Sequence, residues 1–165
     1  MKKGLIAAIC SAMIFSVGST AFAVDLTTCS MQATIIRQIV ITETNGINFG
    51  NIYDTTTATC RMDPATGNLT GTACGAASGT AGVIHVVGAQ SAAVDLEVIA
   101  GAAVDNITFA PAFNNVGATT DTTKSLSAAN PGTLDVNVGG LLTVGAVAPS
   151  AGVKNFTYTF RCTYQ

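Results

Sequence analysis

Phe156-Thr157-Tyr158-Thr159-Phe160-Arg161-Cys162-Thr163-Tyr164-Gln165 has the clearest alternation in the chain. Side chains of an extended strand point to opposite faces in turn. Phe156, Tyr158, Phe160, Cys162 and Tyr164 therefore share one apolar face. Thr157, Thr159, Arg161, Thr163 and Gln165 share a polar one. A strand that is dry on one side and wet on the other belongs to an antiparallel sheet packed on a single core.

Shorter runs of the same kind precede it. Leu134, Val136 and Val138 alternate before Gly139-Gly140, which is expected to bend the chain into Leu142 and Val144. Val83–Val87, Val94–Ile99 and Ile107–Phe109 read as strands. Asp63-Pro64-Ala65-Thr66-Gly67-Asn68 reads as a tight turn, because proline presets φ and glycine accepts a positive φ. It predicts a small hairpin of 59–62 against 69–73. Asn45-Gly46 is a strong hairpin signal, with Ile47, Phe49 and Tyr53 directed at a core beyond it. Residues 74–82 are expected to be mobile, and 114–132 a long polar loop with one helical turn near Lys124. No long 3.6-residue periodicity follows the leader. Together these features predict an all-β, antiparallel, immunoglobulin-like sandwich of about seven to nine strands. Phe49, Val86, Leu96, Val98, Val136, Val138, Phe156, Tyr158 and Phe160 are its expected core.

The start of the chain reads differently. Lys2 and Lys3 precede an apolar run from Gly4 to Gly18, and Ala21-Phe22-Ala23 is a small-x-small cleavage pattern. This is a signal peptide over 1–23, shorter than the roughly 20 apolar residues of a membrane span. The expected mature domain is 24–165. It carries five basic and nine acidic residues, a formal charge of −4. That balance offers no basic footprint for nucleic acid. The expected location is outside the cytoplasm: periplasm in transit, then cell surface, fimbrium or medium.

Export brings the cysteines into an oxidising compartment. Cys29, Cys60, Cys74 and Cys162 follow the leader, and four cysteines allow three pairings. If Asn45-Gly46 is a two-residue turn, Cys29 falls opposite the neighbourhood of Met62. This favours Cys29–Cys60, with Cys74–Cys162 tying the mobile loop to the last strand. The competing pair, Cys60–Cys74, would staple the 63–68 hairpin.

Four stretches, in order, resemble the pilin-like secreted β-domains of bacteria: Ile47-Asn48-Phe49-Gly50, Asp63-Pro64-Ala65-Thr66-Gly67, 138–144 and 156–164. This widespread family, still labelled a domain of unknown function, is similar in outline to spore-coat-U-like and chaperone–usher fimbrial subunits. The chaperone–usher signature also has a penultimate tyrosine and a glycine fourteenth from the end. Tyr164 and Gly152 hold those places. The resemblance implies an incomplete sandwich whose last strand is filled by a periplasmic chaperone and then by a neighbouring subunit's extension, delivered through an usher. Gly152, Phe156, Tyr158, Phe160 and Tyr164 are the implied assembly strand. Only 24–28 precede Cys29, so a donor extension must be short or include that cysteine.

Chemistry finds little foothold. His85 is the sole histidine and lies within an apolar strand. No G-x-S-x-G nucleophile elbow and no C-x-x-C metal pattern is present. Asp95 and Glu97 share a strand face, which reads as a solvated face before a carboxylate pair or calcium site. Asn68, Asn106 and Asn155 sit in N-x-S/T triplets, read as chance beside a bacterial leader. The expectation is a non-catalytic structural subunit of a surface fibre, with no cofactor and no metal. The alternative is an adhesin-like module binding glycan or matrix, which the absence of tryptophan disfavours.

Overall fold

The first sheet is built around one long strand. The computed structural model describes residues 30–33 and 35–165; the 1–23 stretch read as a signal peptide, and Cys29, lie outside the described residues. Residues 35–165 pack as one unit, while 30–33 carry no regular structure. Among the described residues there is no helix and there are nine strands: β1 (Val40–Asn45), β2 (Thr59–Met62), β3 (Leu69–Thr70), β4 (Gly82–Gly88), β5 (Ala93–Ala100), β6 (Ile107–Ala112), β7 (Thr120–Ser125), β8 (Gly132–Val144) and β9 (Tyr158–Tyr164). One sheet runs β1-β4-β8-β2-β3, with β6 also on β8, and the other runs β7-β5-β9. All of these pairings are antiparallel. The chain is an all-β sandwich.

β8 changes partners along its length. Gly132–Val138 pair with β4, whereas 139–144 carry β6 and 140–143 carry β2. Gly139-Gly140 does not bend the chain away, as the sequence suggests; it lies inside the strand. A Cβ on Gly140 would run into the Ala110 carbonyl oxygen, and its φ is +149°. The glycine pair lets neighbouring backbone approach where the partners change. Pro111 is accommodated because β6 pairs only with β8 and needs no donor on its other edge.

Two apolar clusters follow. Ile84, Val86, Val136 and Val138 of the first sheet meet Val94, Leu96, Val98 and Cys162 of the second. Cys60, Met62, Leu69, Ile107, Phe109, Leu142 and Val144 form the other cluster with Phe49. Ile47 and Tyr158 pack against both. Fully burying one such aliphatic or aromatic side chain contributes about 1.5–3 kcal/mol. Phe49, Val86, Leu96, Val98, Val136 and Val138 are buried as expected. Phe156, Tyr158 and Phe160 are only partly buried; Tyr158 and Phe160 lie on a strand with no neighbour on one side among the described residues, and Phe156 just before it.

Several local expectations are corrected. Asn45-Gly46 is not a hairpin: β1 pairs with β4, and the following segment bridges 74–80 through Asn48–Thr80 and Ile52–Cys74. Tyr53 is 57% exposed. The loop 114–132 contains β7 in place of a helical turn, drawn into register by β5. Residues 74–82 are held by bridges and by a disulfide. That disulfide is Cys60–Cys74, with a Cα separation of 5.0 Å, and Cys162 is a buried free thiol. The favoured Cys29–Cys60 and Cys74–Cys162 pairs are thus wrong. With no Asn45-Gly46 turn to set the register, the 63–68 hairpin brings β2 and the stretch after β3 together. Ala73 donates to the Thr59 carbonyl at 3.0 Å, which places Cys74 beside Cys60.

Candidate assembly site

The alternation of 156–164 places its side chains as expected. On β9, Tyr158, Phe160, Cys162 and Tyr164 turn inward, while Thr159, Arg161 and Thr163 are exposed. Phe156 shares the inward phase but precedes the strand. β9 pairs with β5 from Val94–Tyr164 to Ala100–Tyr158, and with no other strand among the described residues. Among the described residues, no strand pairs with its second edge.

That edge lies along a seam with β1, the exposed edge of the other sheet. Two tyrosines span it. The Tyr158 hydroxyl donates to Glu43 Oε1 at 3.1 Å. The Tyr164 hydroxyl donates to the Arg37 carbonyl and accepts from the Ala89 amide, both at 2.7 Å. Burial, then the Glu43 carboxylate, push the Tyr158 phenol well above its ordinary pKa, so it stays a neutral donor. Edge-to-face rings run inward from the seam: Tyr158 on Phe109 at 6.2 Å, and Phe109 on Phe49 at 5.7 Å.

At the Tyr158 end the seam opens into a cleft of about 1150 Å³. Segment 46–54 forms one wall and 149–158 the other, over Ile107, Phe109 and Leu142. The first wall is fastened from behind: Asn48 and Thr80 exchange two 2.8 Å backbone bonds, and Gly75 donates to the Asn51 carbonyl. The second wall hangs on Asp105. Its Oδ2 accepts from the Ser150 amide at 2.7 Å, the Ser150 hydroxyl at 2.6 Å and Lys154 Nζ at 2.7 Å. Lys154, then Ser150, hold the Asp105 carboxyl down at about 2. Gly152, in the same wall, has φ +125° with open space around it, so its backbone conformation requires glycine.

Sequence reasoning gave the facing of β9 but missed Arg37, Glu43 and the Asp105–Ser150–Lys154 latch. No spacing could reveal a latch whose partners stand 45 residues apart. The residues weighed for chemistry do not converge. His85 Nδ1 lies 2.6 Å from Asp135 on the outer face. Glu97 pairs with Arg161 at 3.0 Å, and Asp95 accepts from Gln165 at 2.7 Å. No three potential metal ligands cluster among the described residues, nor is any described helix long and apolar enough to cross a membrane. Asn68, Asn106 and Asn155 are exposed.

Comparison with known proteins returned no matching family model, no matching curated protein and no matching solved structure.

Proposed function

We propose that this chain is a non-catalytic structural module of a bacterial surface fibre, exported and assembled by accepting a partner's extended strand at β9. The observation that carries the reading is the β9 edge, unpaired among the described residues, beside a cleft floored by Ile107, Phe109 and Leu142. An added strand would gain main-chain hydrogen bonds from the edge and seat alternate side chains in the cleft. An uncovered edge with half-buried aromatics is otherwise an aggregation hazard. A periplasmic chaperone would cover it first, and an usher would pass it to the next subunit.

The adhesin alternative draws on the mouth of the same cleft. Exposed Tyr53 stands there among Asn51, Asp54 and Asn155, an aromatic with polar neighbours such as a sugar face would meet. Size-exclusion chromatography and negative-stain microscopy of the exported protein separate the two. Polymers are the expected result. A stable monomer that retains a glycan would replace the fibre reading with the adhesin one.

A further inference from the structure

With Cys60 bonded to Cys74, two cysteines after the leader remain for chemistry, Cys29 and Cys162. Cys162 is 8% exposed and sits on the inward face of the open-edged strand. Cys29 lies outside the described residues, but its place in the sequence is informative. It opens a period-two row, Cys29, Met31, Ala33, Ile35, whose polar alternates begin with Ser30 and Gln32. Met31 and Ile35 are 93% and 94% exposed, an unusual state for two large apolar side chains.

The two rows match. Laid antiparallel to β9 with Cys29 opposite Cys162, the segment sets Met31 against Phe160, Ala33 against Tyr158 and Ile35 against Phe156. A shift of one residue would turn Ser30 and Gln32 onto the aromatic face. Directly opposed residues of antiparallel strands have Cα atoms about 4.5–5.5 Å apart, within the span a disulfide bridges. We propose that Cys162 is the covalent acceptor for Cys29 of a second copy, so that the inserted segment is locked to β9 by an intermolecular disulfide. This rests on the strand-accepting reading above and adds a bond to it.

The same chain cannot supply the strand in this register. The Arg37 carbonyl is held by Tyr164 at one end of β9, whereas Ile35 would have to lie beside Phe156. Two residues reach about 7 Å; the eight from Phe156 to Tyr164 cover about 26 Å when extended. Only another copy satisfies both positions. On insertion, the exposed Tyr158–Glu43 bond across the seam gives way to the incoming backbone, while Tyr164 keeps its hold on Arg37.

The chemistry is thiol–disulfide exchange with a disulfide oxidant, either oxidised glutathione or an exported oxidoreductase. The Cys29 thiolate attacks the oxidant and releases one thiol; the Cys162 thiolate then displaces the second. Two protein thiols become one disulfide, and one oxidant disulfide becomes two thiols. Burial, and then the Asp95 carboxylate, raise the Cys162 pKa, so Cys162 acts second, as the resolving thiol.

The test uses the full chain expressed in an exporting bacterium, purified reduced and reoxidised with oxidised glutathione. Non-reducing electrophoresis is expected to show a ladder that dithiothreitol collapses. Cys29→Ser alone and Cys162→Ala alone should each abolish it. Mixed in equal amounts, the two variants should give one dimer band and nothing larger, since one supplies Cys162 and the other Cys29. Unchanged melting of Cys29→Ser shows that loss of the ladder is not loss of fold. A Cys29–Cys162 peptide from the monomer band, or a ladder surviving in Cys162→Ala, overturns the proposal. Fibres by microscopy without any cross-link sink the disulfide and leave the strand-accepting reading standing, whereas neither fibres nor cross-links sink both.

Discussion

Tyr164 and Thr163 are neighbours in sequence and opposites in consequence. Tyr164 packs against the inner cluster and bonds Arg37 and Ala89; Thr163 is exposed. Tyr164→Ser should cost about 2–4 kcal/mol through lost packing and an orphaned amide. Thr163→Ser should stay within about 0.5 kcal/mol. Urea melts of both variants check the contrast, and surface display in an exporting host checks its bearing on assembly. Asp105 makes a prediction about pH. Its pKa falls from 3.8 to about 2 on folding, so the latch's contribution is full above pH 3.8 and drains as pH drops towards 2. Asp105→Asn should therefore lower the melting temperature at pH 6 and make progressively less difference between pH 4 and pH 2. A constant difference across that range would show that the carboxylate's charge is not what holds the wall. The facing of Tyr164 was legible because alternation alone decides it. The latch was not, because Asp105 and Ser150 meet only after the chain has folded.

At the level of elements, what the sequence disclosed depends on how local the cause is. The 63–68 turn and the hairpin it closes are visible because proline, glycine and the Asp63 side chain act within a few residues; Asp63 Oδ1 accepts from the Ala65 amide at 2.8 Å. Asn45-Gly46 carries an equally strong local signal and fails, since β1 finds its partner in β4 and not in the next run. β7 reads TDTTKS, with no apolar row, and five of its six residues are exposed. Its strand character comes from β5 and could not be read from its own residues. The Cys60–Cys74 bridge closes a short loop, separation 14, and should contribute about 3 kcal/mol. Cys60→Ala with Cys74→Ala should lower urea-unfolding stability by that order. At the middle of β8, Gly140→Ala meets both a positive φ and the Ala110 carbonyl. It should destabilise by more than about 1 kcal/mol, a loss that Gly152→Ala, in open space, should share only through its backbone strain.

Across the molecule, β8 ties the two apolar clusters together, while β9 has β5 as its one backbone partner among the described residues. Deleting 158–165 should leave the cluster around Cys60 and Phe109 largely in place and uncover the one around Leu96. Hydrogen exchange would then show protection kept in β2, β6 and the second half of β8 but lost in β5 and β7. Uniform loss would mean that the two clusters unfold as one unit. The order of the strands along the chain sets a clock as well. β9 emerges from the ribosome or the translocation pore after the other eight, and β5, the strand it pairs with, has by then waited some sixty residues with one flank bare. At about 5–20 residues per second, that is an interval of several seconds in which Leu96 and Val98 have no cover on that side. A chain with this strand order is most vulnerable during its own birth, and a protein that shields β5 in those seconds would raise its yield without altering the stability of the finished fold.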